Sequence, residues 1–155
     1  MLTPLCRTLW SVAPRPIAGR SKWYLPDEEL TDKARTIRRG SDDGRFRIVA
    51  PTHLRFEVGN SLRNAVRARR LAEDEAAASL AELFTSRIVF VDDDELLADA
   101  LHLSLRLNTS YYDTLYLVLA AAVNGILISA DNRFRRALGG SHPRVIWLED
   151  YQPEA

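Results

Sequence analysis

The chain has 155 residues, 46% hydrophobic and 27% charged, a composition that makes one folded domain with a core of its own. Its 21 lysines and arginines balance 21 aspartates and glutamates, so bulk charge points neither to a nucleic-acid binder nor to a protein of acidic surface. A single cysteine, Cys6, excludes an intrachain disulfide and a cysteine-built zinc site, and no apolar run reaches the roughly 18 residues that a membrane span needs.

Taken in order, residues 1–21 read as an atypical N-terminal segment ahead of a domain over 22–150. Within it, residues 9–13 have the character of a short strand, ended by Pro14 and Pro16. The start lacks a basic front and a continuous apolar stretch, so no signal peptide is expected and a cytoplasmic location follows. Residues 22–26 (KWYLP) lead into a helix expected over 27–39, whose acidic opening suits the helix dipole. Residues 41–44 (SDDG) form a turn.

Residues 46–50 (FRIVA) read as a strand, and Thr52 is the expected N-cap of the helix that follows. Leu54, Val58, Leu62 and Ala65 recur on one helical face. Glu57 sits at the edge of that face, beside the poor helix formers Gly59 and Asn60. A surface ion pair and a functional role both remain open for it. Four arginines in 63–70 and three in 133–136 are either solvated faces or local grips for phosphate. A helix over 71–84 and a strand over 87–91 (RIVFV) come next. Asp92, Asp93 and Asp94 then read as caps and solubilising charge before a helix over 95–107. The three histidines, at 53, 102 and 142, have no metal-ligand spacing and read as surface or helix-end residues.

The central stretch is 110–134 (SYYDTLYLVLAAAVNGILISADNRF). It predicts an apolar helix, a turn at Asn124-Gly125, a buried strand over 126–130, and an acid at the strand's exit. Asp113 is the ionisable group of the apolar block, and Asp131 ends the strand. Each has a local role available: Ser110 and Asp113 fit a capping box, and Asp131 fits the N-cap of a short helix over 132–138. Against that, the helix is apolar all round, which buries its mouth, and an unpaired buried charge is costly. A divalent cation is one compensation. A last strand over 144–148 (RVIWL) precedes a polar tail.

Alternation of strands and helices predicts an α/β fold with a mostly parallel central sheet covered on both faces. Ligands of such sheets lie at the carboxyl ends of the strands. Glu57 and Asp113 in first helical turns, and Asp131 after a strand, are all candidates for that edge. Oxygen donors alone suit a hard cation, Mg²⁺ or Mn²⁺, and with it phosphodiester hydrolysis. A phosphoacceptor receiver domain built on Asp92 to Asp94 fails on order, since its acids would come earlier and its last strand would carry a lysine.

Four stretches together resemble the PIN-domain family, and within it the VapC-like toxins: KWYLPDEE at 22–29, IVAPTHLRFEVGNSL at 48–62, TSYYDTLYLVLAAAVNGILISADNRF at 109–134, and the closing strand. The resemblance implies a three-layer α/β/α fold and a Mg²⁺- or Mn²⁺-dependent endoribonuclease. It further implies a homodimer held in check by a cognate antitoxin protein. It places Glu57, Asp113 and Asp131 in an acidic metal cluster, with Ser129 and Asn132 beside the last acid. One departure stands out. The family carries its first acid at the end of the first strand, about six residues before the Lys-Trp pair. Here Arg15-Pro16-Ile17-Ala18 fill that place, and no Asp or Glu precedes Asp27. The chain is therefore expected to be a ribonuclease toxin, or alternatively a module that binds antitoxin or RNA without cutting.

Overall fold

The computed structural model describes residues 9–13, 31–92 and 94–152. The expectations placed on Cys6, on 14–30 with its KWYLP stretch, and on Asp93 lie outside the described residues.

A five-stranded sheet organises the chain, in the order β3-β2-β1-β4-β5. Its strands are β1 (Leu9–Ala13), β2 (Arg47–Pro51), β3 (Val89–Val91), β4 (Ile126–Ser129) and β5 (Val145–Trp147). Every neighbouring pair is parallel. The strand expected at residues 9–13 is thus the middle of the sheet, although it belongs to the segment set apart in the sequence. Its register runs Trp10 beside Ile48 and Ile126, and Ala13 beside Ser129.

The helices are α1 (Thr31–Asp42), α2 (Leu54–Arg67), α3 (Glu73–Thr85), α4 (Leu97–Leu107), α5 (Tyr111–Ala122) and α6 (Asn132–Ala137). Right-handed crossovers decide which face each covers. From β1 to β3 the chain steps one way along the sheet, which puts α1, α2 and α3 on one face. From β3 to β5 it steps the other way, which puts α4, α5 and α6 on the opposite face. The packing agrees. Ala34 and Ile37 of α1 meet Ile48 and Ile128, while Tyr116, Leu117 and Ala120 of α5 meet Leu127, Val145 and Trp147. Neighbouring residues Leu127 and Ile128 of β4 thus serve opposite layers, as the two-residue period of a strand requires. The α/β/α layering expected from the alternation is the observed one.

Tertiary contacts respect some local signals and override others. Leu54, Val58, Leu62 and Ala65 are all buried along α2. The Asn124-Gly125 turn ends α5 as expected, with Asn124 left-handed (φ 51°) and the Gly125 N–H donating to the Ala120 carbonyl at 2.7 Å. Gly40 allows a close approach, since a Cβ there would stand 2.7 Å from the Phe46 ring. Two caps need correction. His53, not Thr52, holds the N-cap position of α2, because the Thr52 hydroxyl donates instead to the Val91 carbonyl, 3.1 Å away across to β3. At α5, Ser110 is the N-cap but its side chain makes no capping bond, so the capping box with Asp113 does not form. Before α4, the chain takes one turn of 3₁₀ helix, Asp94–Leu96, with the Asp94 N–H donating to Asp92 Oδ1 at 3.4 Å.

Candidate active site

A helix that follows a parallel strand begins at the carboxyl edge of the sheet, and so does one that precedes the next strand. The first turns of α2, α5 and α6 therefore share one edge. This edge includes the point where the connections of β1 and β4 diverge, where open α/β sheets place their ligands. Glu57 and Asp113 lie in the first turns of α2 and α5, and Asp131 is the N-cap of α6.

Asp131 is 2% exposed and caps α6. Its Oδ1 accepts from the Arg133 N–H at 2.7 Å and the Phe134 N–H at 3.1 Å. Both backbone donors offset part of the cost of burying the charge. Ser129 braces it from below, since the Asp131 N–H donates to Ser129 Oγ at 3.1 Å and Ser129 is itself buried. Asn132 opens α6 on its exposed side.

Asp113 is 4% exposed in the first turn of α5. The following helical face carries Tyr116, fully buried, whose hydroxyl donates to Glu57 Oε2 at 2.9 Å. That bond joins α5 on one face of the sheet to α2 on the other, over the ends of the strands. Glu57 is half-buried rather than a surface residue, and His53, one turn before it, places Nε2 at 3.9 Å from the same oxygen. The His53 ring packs edge-on against Tyr116 at 5.3 Å and tilted against Tyr112 at 5.4 Å. His53 was expected at a helix end, and so it is, but as part of this edge.

Sequence pattern assigns no role to Tyr112 or Tyr116. A signal existed for Tyr116: a tyrosine inside an apolar helix buries its ring and needs a partner for its hydroxyl. The partner is on another element, and only the fold names it.

The donors fit a hard divalent cation in kind, being carboxylate oxygens on a buried edge. In arrangement they are spread: among the described residues, no three His, Cys, Asp or Glu side chains gather closely enough to hold a metal ion. The middle strand contributes no carboxylate either. It ends at Ala13 beside Ser129, and its sequence continues as Pro14-Arg15-Pro16.

Comparison with known proteins agrees with this architecture. The PIN domain family matches residues 22–139. Ribonuclease VapC3 of Pyrobaculum aerophilum is 30% identical over 112 residues, covering 71% of this chain and 82% of that protein. Ribonuclease VapC1 of Mycobacterium tuberculosis is 34% identical over 91 residues, 58% of this chain and 67% of the relative. A crystal structure of a Pyrobaculum aerophilum protein superposes with a TM-score of 0.60 at 17% identity, over 92% of this chain and 90% of that one, which speaks for the fold alone. With three acids on the carboxyl edge of an α/β/α sheet and these relatives, the chain belongs to the PIN-domain family, in its VapC-like branch.

Proposed function

We propose that this protein is a Mg²⁺- or Mn²⁺-dependent endoribonuclease, the toxin of a toxin–antitoxin pair. The observation that carries the reading is the burial of two carboxylates, Asp113 and Asp131, at the carboxyl edge of the sheet, in a chain of the PIN-domain family that is similar to two named ribonucleases. Glu57, Asp113 and Asp131 would hold the ion. When bound, it supplies positive charge against the phosphate and lowers the pKa of an attacking water. The chain's own part is positional. Tyr116 fixes Glu57 by a hydrogen bond to one carboxylate oxygen. The α6 amides fix Asp131. Ser129 sets the backbone that presents it. The proposal extends to an RNA substrate, a cognate antitoxin, a cytoplasmic location and a homodimer. An apolar stripe on α4, Leu97, Leu101 and Leu105, each more than a third exposed, supports the self-association.

A second reading, a module that binds RNA or antitoxin without cleavage, is favoured by one observation: the middle strand ends at Ala13, beside Ser129, with no acid in it. Purified protein with Mn²⁺ and a structured RNA separates the two. Cleavage by the native chain and none by Asp113→Asn supports the nuclease; equal, background cleavage by both leaves the binding module.

A further inference from the structure

The nuclease reading leaves one group of side chains at the same edge without a task. Tyr112, beside Asp113 in the first turn of α5, is 51% exposed. Its ring lies 5.4 Å from that of His53, tilted by 48°. Tyr111 stands edge-on to it at 5.9 Å, held by a hydroxyl that donates to the Leu97 carbonyl. His53 in turn meets buried Tyr116. Four rings therefore run without a break from the core to solvent. The exposed end is one ring away from Glu57, because His53 Nε2 is 3.9 Å from Glu57 Oε2.

Packing accounts for Tyr116 and for the braced Tyr111, but not for a large ring half in water at the mouth of an acidic edge. We propose that Tyr112, backed by His53 and Tyr111, is a stacking platform for an unpaired base of single-stranded RNA, which sets the strand across the carboxylates. Every base has a π-face, so an aromatic ring grips single strands with little regard to sequence. A duplex has its bases already stacked and offers none. Charge favours the same division of labour. The formal net charge is zero, which weakens long-range attraction to phosphates, so stacking carries a larger share of binding than in a basic protein. Arg133, exposed in the turn that caps Asp131, supplies a local cation for the backbone.

This inference rests on the nuclease reading, and the experiment keeps the two apart. The whole chain is titrated, in chelator so that no cleavage occurs, against a short single-stranded RNA bearing a fluorescent adenine analogue, and against the same RNA as a duplex. The native protein is expected to quench the analogue, as a stacked ring does. Tyr112→Ala is expected to lose the quenching and to bind the single strand about tenfold more weakly, while Tyr112→Phe keeps both. Duplex binding is expected to be alike for all three. Equal quenching and affinity for native and Tyr112→Ala proteins overturns the platform and leaves the nuclease standing. Failure of the native chain to bind any single strand also overturns the platform, while the nuclease reading stands or falls by the cleavage test with Mn²⁺.

Discussion

Asp131 caps α6 through Oδ1, and substitution can separate that service from its charge. Asp131→Ala removes the cap and is expected to lower stability by about 1 kcal/mol, whereas Asp131→Asn, an equally good cap, stays within about 0.5 kcal/mol. Urea denaturation measures both. Ribonuclease activity, by contrast, is expected to vanish in each, since neither side chain offers an anionic oxygen. Tyr116→Phe asks the same question of Glu57. It keeps the buried ring and removes the hydroxyl that reaches Oε2, so stability is expected to fall by about 1–2 kcal/mol and RNA cleavage to drop with the melting profile still cooperative. His142 gives a pH test remote from the acids. Burial, and then the charge of Arg144, lower its pKa below the ordinary 6.5, and its Nδ1 accepts from the Arg144 N–H at 3.2 Å. A histidine whose folded pKa is lowered adds stability above its unfolded pKa and loses it as pH falls through the folded one. Chemical denaturation below pH 6.5 is thus expected to give a shallower loss for His142→Gln than for the native chain.

Elements connect these residues to the fold. The first helical turn of α5 is where the tertiary context overrides local grammar. Ser110 and Asp113 have the spacing of a capping box, yet the serine side chain makes no such bond and the acid is buried. Burial of Leu115, Tyr116, Leu117, Leu119 and Ala120 fixes the roll of the helix, and the roll points Asp113 inward whatever its cap would favour. The next helix back presents the opposite case. In α4, Ala100 and Ser104 face the core while Leu97, Leu101 and Leu105 face outward. Such a stripe of leucine in water supports the proposed self-association. Replacing Leu101 by glutamate is expected to shift sedimentation from dimer to monomer without altering the circular dichroism; a native chain that sediments as a monomer removes the stripe's assigned role.

At the scale of the whole molecule, the parallel sheet is what brings three distant segments to one edge. Parallel pairing across β2, β1 and β4 aligns their carboxyl ends, so acids separated by up to 74 positions in sequence, from Glu57 to Asp131, come to the same edge. The arrangement depends on β1, which bridges the two halves of the sheet. Truncation of residues 1–13 is expected to abolish the cooperative thermal transition, because β2 and β4 would each lose their pairing with β1 and the sheet would fall into two pairs of strands.

The sequence by itself determined the layered α/β class, the strands near 46, 87, 126 and 144, and the family, because hydrophobic period and motif spacing are properties of neighbouring residues. It also brought forward Asp113 and Asp131, since a charge beside an apolar run is visible without a fold, and Glu57 through the family resemblance. What only the tertiary structure decided was which neighbour each side chain answers to. Thr52 bonds to β3 rather than capping its helix, Tyr116 holds Glu57 across the sheet, and His53 joins an aromatic run. Those partners lie 39 and 59 residues away for Thr52 and Tyr116, and a hydrogen bond is formed by proximity in space, which local pattern does not encode.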